Sequence, residues 1–319
     1  MSELSRRATE IKESGRPLVV SISGGKDSTA MGLYLIENDF HKTNELSFVY
    51  ADTGWEHPEV YEYLEKVIVP FFSKYGEFHY LKNPKYPNGM VDLIRKNEMF
   101  PSRISRNCTM DLKVKPIKLH LKAMIKRELD PINVVGIRAQ ESFKRSLMDE
   151  FDQGGPIGCD TWRPLIRFVL EDVISIHNRH GLVPCSLYYQ KKNPVKRVGC
   201  WPCVLSPKAE IKAFAEDDQG RLETIKNLEN EVRPLVQLKA KKRAAENKTE
   251  YNENRLAGST FFNASKEPYP RPIDEAIKWA KTARGGKQYE LFTPQNPAER
   301  GCQMWGLCDV ADENGEFTP

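Results

Sequence analysis

Ser21-Ile22-Ser23-Gly24-Gly25-Lys26-Asp27-Ser28-Thr29 sets two glycines, a lysine, an aspartate and four hydroxyls between two apolar runs near the amino terminus. The residues before it, 18–23, are apolar and β-branched and read as a strand. From Asp27 or Ser28 onward the apolar spacing becomes helical. Glycines at such a turn let successive backbone N–H groups face inward at a helix amino terminus, which makes an anion nest. Lys26 adds a positive charge, and Ser21, Ser23, Ser28 and Thr29 add hydroxyl donors, so the loop suits a phosphate or pyrophosphate. A ligand-free strand-to-helix turn is the plainer alternative. It accounts for the glycines, but not for the lysine and hydroxyls around them. The loop lacks both the Gly-x-x-x-x-Gly-Lys spacing of P-loop NTPases and the Gly-x-Gly-x-x-Gly of dinucleotide-binding folds.

Working outward, strands are expected at 18–23, 46–51, 77–81 and 132–137, alternating with helical periods over 28–38, 58–75 and 111–129. That alternation is the pattern of a parallel sheet covered by helices. The expected fold class is α/β, with a Rossmann-like nucleotide-binding domain over 1–165. A mostly helical, cysteine-bearing region over 166–319 packs on it, with helices near 170–180 and 210–242. The 319 residues carry a net charge of +4, a mild bias toward anions. No segment has the roughly 20 apolar residues of a membrane span or the pattern of a signal peptide. Seven cysteines, with a close pair at Cys200 and Cys203, fit a reducing compartment, and a cytoplasmic protein is expected.

Two further stretches fall where strands should end, on the sheet edge that faces ligand in open α/β folds. In Tyr50-Ala-Asp-Thr-Gly-Trp-Glu-His57, Asp52 and Thr53 are placed to meet ribose, adenine or magnesium, or else to cap a helix. In Gly136-Ile-Arg-Ala-Gln-Glu-Ser142, Arg138 offers a guanidinium fork for phosphate, with Arg145 one turn on. Lys239–Arg243, the arginines 95, 103 and 106, and Tyr188-Tyr-Gln-Lys-Lys192 are local basic clusters of the kind a nucleic-acid substrate needs, or else solvated faces. His57, His177 and His180 show no metal-ligand pairing and read as helix or core residues, with His57 near the nucleotide by its context.

Ser-x-Gly-Gly-Lys-Asp-Ser resembles the pyrophosphate loop of the adenine nucleotide α-hydrolase superfamily, whose members split ATP between the α and β phosphates. Together with YADTGWEHPEVYEYL, RNCTMDLKVKP, GIRAQES, DTWRPLI and RVGCWPC, it resembles the phosphoadenosine phosphosulfate reductase family in its broad sense, over about residues 18–206. That family includes sulfonucleotide reductases and proteins similar to the ATP pyrophosphatase component of DNA phosphorothioation systems.

Cys200-Trp-Pro-Cys203 has the spacing that brings two thiolates to one metal centre, with a thioredoxin-like redox pair as the competing reading. The resemblance adds Cys108 as a third ligand of a [4Fe–4S] cluster. Residue 107 is Asn where some reductases carry a second cysteine, so a fourth ligand must come from elsewhere: Cys308 by preference, otherwise Cys302 or Cys185. Zinc is the alternative metal. Cys159 reads as an ordinary thiol.

The resemblance implies an enzyme that binds ATP with Mg²⁺, releases pyrophosphate and AMP, and adenylylates an acceptor for sulfur insertion. The acceptor is unidentified, with nucleic acid one candidate and a sulfur-donor protein a further partner. Lys26, Asp27, Asp52 and Arg138 are the expected catalytic residues. The nucleotide set is Ser21, Ser23, Gly24, Gly25, Lys26, Asp27, Ser28, Asp52, Thr53 and Arg138, and the metal set is Cys108, Cys200, Cys203 and Cys308. Asp27 is also expected to cap the helix. The alternatives are a thiol-dependent sulfonucleotide reductase and a non-catalytic nucleotide-sensing subunit. Against the reductase, the chain has no Glu-Cys-Gly-Leu-His tail.

Overall fold

The computed structural model describes residues 4–102, 105–155, 157–190, 195, 197–251, 258–262 and 271–282. The expected ligands Cys302 and Cys308, together with Arg103, Lys191 and Lys192, lie outside the described residues.

Apolar and β-branched runs build the centre of a six-stranded sheet: β1 (Leu18–Ser21), β2 (Leu46–Ala51), β3 (Glu77–Leu81), β4 (Ile132–Val134), β5 (Phe151–Asp152) and β6 (Thr161–Trp162). Their order is β3-β2-β1-β4-β6-β5, parallel throughout except for β5, which runs antiparallel to β6. The chain winds outward from β1 to β3 and returns on the other side at β4, so the order reverses between β1 and β4. In an open α/β sheet, ligands sit in the crevice beyond the carboxyl ends of the strands at such a point.

Alternation along the central strands feeds two cores. Leu18 and Val20 face a large buried cluster that continues through Leu64, Phe72, Phe214, Ile225 and Ile277. Val19 and Val49 face a smaller one with Leu121, Met124 and Cys159. The larger cluster joins the sheet and the carboxyl-terminal helices in one core. Among the described residues no helix is long and apolar enough to cross a membrane.

Four expectations need correction. The strands expected at 18–23 and 132–137 end at Ser21 and Val134: Ser23 N–H turns to Ser28 Oγ, and Ile137 N–H bonds back to Val135. The two-residue strands β5 and β6 are too short to show a period, and the Met90–Asn97 helix was not anticipated. The expected helix 210–242 is two, Lys208–Asp217 and Gln219–Glu246, because the Asp218 carboxylate accepts from Arg221 N–H and caps the second. Helices 58–75 and 111–129 each contain a π-helical turn, Leu64–Ile68 and Met110–Val114, immediately ahead of Pro70 and Pro116. A proline cannot donate to the i−4 carbonyl and its ring crowds that group, so the turn before it widens.

The Lys26–Glu37 helix passes so close to the Val69–Phe72 helix that a Cβ at Gly32 would stand 2.6 Å from Phe72 Cζ. Gly32→Ala is therefore expected to destabilise the protein by about 1–3 kcal/mol through overpacking. Urea unfolding would measure this, with Phe72→Leu in the same chain recovering part of the loss.

Candidate nucleotide and cysteine site

The loop after β1 forms as the sequence demands. Gly24 takes φ 73° and Gly25, in extended conformation, is the N-cap of the Lys26–Glu37 helix with no side-chain cap. Asp27 is thus not the cap; its carboxylate is engaged elsewhere. Ser28 Oγ receives Ser23 N–H at 3.0 Å and donates to the Gly25 carbonyl at 3.0 Å, pinning the loop across its own mouth. Ser23 is exposed, while Ser21 Oγ and Thr29 Oγ1 are buried with no protein partner.

Residues far away in sequence hold this loop from behind. Arg138, 5% exposed, donates from Nε to Asp27 Oδ1 at 2.5 Å and from Nη1 to Gln140 at 2.7 Å. Its fork is turned to Asp27 and Gln140, and it reaches the loop through Asp27. Gly136 lets the end of β4 approach: a Cβ there would lie 3.0 Å from the Asp27 carbonyl oxygen. Lys26 Nζ sits 3.6 Å from Asp27 Oδ2 and 5.0 Å from the centre of the Tyr188 ring. Burial pushes the Lys26 pKa down and the Arg138 charge adds to this, while Asp27 opposes both. Tyr188 Oη accepts from Lys26 N–H at 3.1 Å and from Val198 N–H at 3.3 Å. His177 Nε2 stands 2.9 Å from the Lys26 carbonyl oxygen. Neither Tyr188 nor His177 was singled out for the site. Each touches Lys26 across more than 150 residues of chain, and no local sequence signal marks such a contact.

The turn after β2 closes on itself. Asp52 accepts from Gly54 N–H at 2.8 Å and Tyr61 Oη at 2.9 Å, and pairs with Lys82 at 3.0 Å. Thr53, 1% exposed, donates to Glu56 at 3.1 Å and accepts from Trp55 N–H at 3.1 Å. Thr53 thus closes a tight turn, and neither it nor Asp52 caps the helix that follows: the N-cap of Pro58–Tyr63 is His57, whose Nδ1 accepts from Glu59 N–H at 3.2 Å.

The cysteine knuckle is stitched onto this turn by main chain. Glu56 and Cys200 form an antiparallel bridge, Trp201 N–H donates to the Trp55 carbonyl at 2.8 Å, and Trp55 Nε1 donates to the Pro202 carbonyl at 3.1 Å. Arg221 ties the two sides together, donating to the carbonyls of Glu56 and Trp201 at 3.1 and 2.6 Å. The Glu56 side chain, 3% exposed, accepts from Lys113 at 3.3 Å and from the Cys200 thiol at 3.6 Å, leaving Oε2 unpartnered. Glu56, Lys113 and Arg221 are site residues that sequence reasoning missed, although the first two stand inside the motifs that carried the resemblance.

Cys108, Cys200 and Cys203 share one electrostatic neighbourhood. Burial, aided by Glu56, pushes the Cys200 thiol up to about 12, with Cys203 and Cys108 adding to the shift. Burial, with Cys203 nearby, also raises Cys108. The donor set is soft, as iron–sulfur or zinc requires. Among the described residues, however, no three His, Cys, Asp or Glu side chains group closely enough to hold a single metal ion. Cys185, wholly buried, is pushed up to about 11 by burial and stands among Tyr63, Tyr188 and Tyr189. Cys159 lies in the smaller core, as an ordinary thiol would.

The chain is 28% identical over 349 aligned residues to an uncharacterised 37.8 kDa protein of Escherichia phage 186, covering 91% of this chain and 96% of that one. Among solved structures it is similar to a phosphoadenylyl-sulfate reductase from Candida auris (16% identity, TM-score 0.42, covering 63% of this chain and 97% of that one). It is also similar to a U34-tRNA thiolase from Methanococcus maripaludis with its [4Fe-4S] cluster (18% identity, TM-score 0.41, covering 72% and 78%). Scores this low carry no assignment. Residues 17–206 match the model of the phosphoadenosine phosphosulfate reductase domain, a span that holds the phosphate loop, the Asp52 turn, Arg138 and the cysteine knuckle, and the chain belongs to that family.

Proposed function

We propose that this protein binds ATP with Mg²⁺ at the Ser21–Thr29 loop, transfers the adenylyl group to an acceptor with release of pyrophosphate, and uses its cysteine lobe in sulfur insertion. The observation that supports this reading is the main-chain pairing of Cys200 and Trp201 with Trp55 and Glu56, which joins the cysteine knuckle to the turn after β2. An acceptor oxygen attacking the α phosphorus breaks the bond to the β phosphate, and negative charge grows on the departing pyrophosphate. Main-chain amides of Gly24 and Gly25, the Lys26 ammonium and the helix amino terminus stabilise that charge. Arg138 holds Asp27, and through it the loop, in register. Asp52 addresses ribose, adenine or the metal. Bound Mg²⁺ supplies further charge neutralisation at the phosphates.

Cys108, Cys200 and Cys203, with Cys308 as the expected fourth ligand, are the residues that would hold a [4Fe–4S] cluster, which supplies an iron able to carry sulfur. The acceptor class remains open to nucleic acid, and the sulfur source to a donor protein. The family match favours one second reading, reduction of a sulfonucleotide by a cysteine nucleophile.

Anaerobically purified protein given MgATP, candidate acceptors and sulfide as the sulfur nucleophile is expected to form AMP and pyrophosphate in equal amounts, and without sulfide to release pyrophosphate while the adenylyl group stays on the acceptor. Sulfite release from adenosine phosphosulfate or its 3′-phosphorylated form, lost in Cys308→Ser, would replace this reading with the second one. Lys26→Ala should weaken binding of α,β-methylene-ATP about 10- to 100-fold, the worth of one charge-assisted contact, with the thermal melt little changed. Metal analysis of anaerobic protein should find iron and acid-labile sulfide in equal proportion, and Cys108→Ser, Cys200→Ser and Cys203→Ser should each lower both. Zinc without sulfide would remove the cluster from the proposal.

A further inference from the structure

His177 lies beneath the phosphate loop on the Leu170–Arg179 helix, 1% exposed. Both of its ring nitrogens face carbonyl oxygens: Nε2 is 2.9 Å from that of Lys26 and Nδ1 is 3.0 Å from that of Leu182. A carbonyl oxygen only accepts, and a neutral imidazole has a single N–H. The neutral ring therefore satisfies one carbonyl and turns a lone pair toward the other, whereas the imidazolium donates to both. Geometry asks for the charged form, and burial opposes it.

Burial dominates in the protein without ligand and lowers the His177 pKa, with the His180 charge adding to this. The two carbonyls and Asp27 pull the other way. Among the described residues, the charged groups that act on the ring include Lys26 and Asp27 from the loop, Arg138 behind Asp27, and His180 from the end of its own helix. A polyphosphate arriving at the loop adds several negative charges beside this set, in a site partly shielded from water, and tips the balance toward the imidazolium.

We propose that filling the loop with polyphosphate is coupled to uptake of a solvent proton by His177, which then donates to the Lys26 and Leu182 carbonyls together. The coupling rests on the phosphate-binding reading of the loop. It makes His177 a positioning residue. The charged ring polarises the Lys26–Asp27 peptide through its carbonyl, so the N–H of that peptide becomes a stronger donor at the helix amino terminus. Because the bound state raises the His177 pKa, the extra affinity is fully present below the pKa of the free protein and is lost as pH rises through that of the complex.

The test is calorimetry at pH 7.5 in two buffers of different ionisation enthalpy, with inorganic pyrophosphate and Mg²⁺–α,β-methylene-ATP as probes. Wild type is compared with His177→Gln and His177→Asn, so that proton exchange by the ligands themselves cancels. Wild type should take up about half a proton more per ligand than either variant, and the wild-type-to-variant affinity ratio should fall about tenfold between pH 6.5 and 8.5. Equal proton numbers and parallel pH profiles in proteins that all bind would overturn the coupling and leave the phosphate site standing. Failure of wild type to bind either probe would overturn both. Should neither variant fold, histidine ring ¹⁵N shifts of wild type with and without pyrophosphate decide the matter: one buried ring must become doubly protonated, and no change in any ring refutes the proposal.

Discussion

The Asp27 carboxylate, 2.5 Å from Arg138 Nε and 3.6 Å from Lys26 Nζ, fixes the geometry on which the site depends. An amide offered to an anion cannot also hold the loop, so the hold comes from its other amides, its side chains and distant parts of the chain. Here Arg138 grips Asp27, Tyr188 takes the Lys26 amide, His177 meets the Lys26 carbonyl, and Ser28 bridges Ser23 to Gly25. Removing one partner of a buried ion pair leaves an uncompensated charge, at a cost of about 3–5 kcal/mol. The loop's conformation is thereby bound to the ends of β1 and β4 and to the Leu170–Arg179 helix.

The same sheet edge organises the thiols. The turn after β2 could end in solvent, but it accepts a strand-like pairing from residues 200–201 and a guanidinium that bonds to both sides. Glu56 then lies within reach of Lys113 and Cys200 in the dry interior of that junction. Tyr50 Oη, Glu56 Oε2 and Trp201 Nε1 are buried here without protein partners. Unpaired buried polar atoms each cost about 1–3 kcal/mol, and a fold carries several in one place where function requires polarity.

What was legible in the sequence follows from the range of each interaction. Strands of four to six β-branched and apolar residues announce themselves, and β2 and β3 match their expected bounds. The phosphate loop is legible because its glycines, lysine and hydroxyls are contiguous. β5 and β6 are fixed by pairing rather than by pattern, since two residues cannot show a period. The cap expected from Asp27 fails because Gly25 already holds the N-cap position, which frees the aspartate for Arg138. Arg138 is expected at a strand end with its fork toward phosphate; β4 ends at Val134, and in the structure the guanidinium bonds to Asp27 and Gln140, contacts too distant or too local for sequence spacing to show. Tyr188, His177 and Arg221 act through tertiary contacts alone, and ordinary residues of their type in ordinary helices look the same in sequence.

Charge accounting at the loop bears on what it holds. Among the described residues, Asp27 offsets one of the two cations beside it and Glu141 is paired with Arg145, leaving about one net positive charge from Lys26 and Arg138, to which the helix amino terminus adds about half a charge. On the proposed reading, a free nucleoside triphosphate brings about four negative charges to that site, far more than it can match, and much of its hydration would go unreplaced. A divalent cation on the same phosphates removes two of those charges and brings ligand and loop close to balance. The buried pair between Arg138 and Asp27, which looks wasteful if every cation is meant for phosphate, thus suits the loop to a metal-neutralised nucleotide, and a bare polyphosphate leans further on the proton proposed at His177.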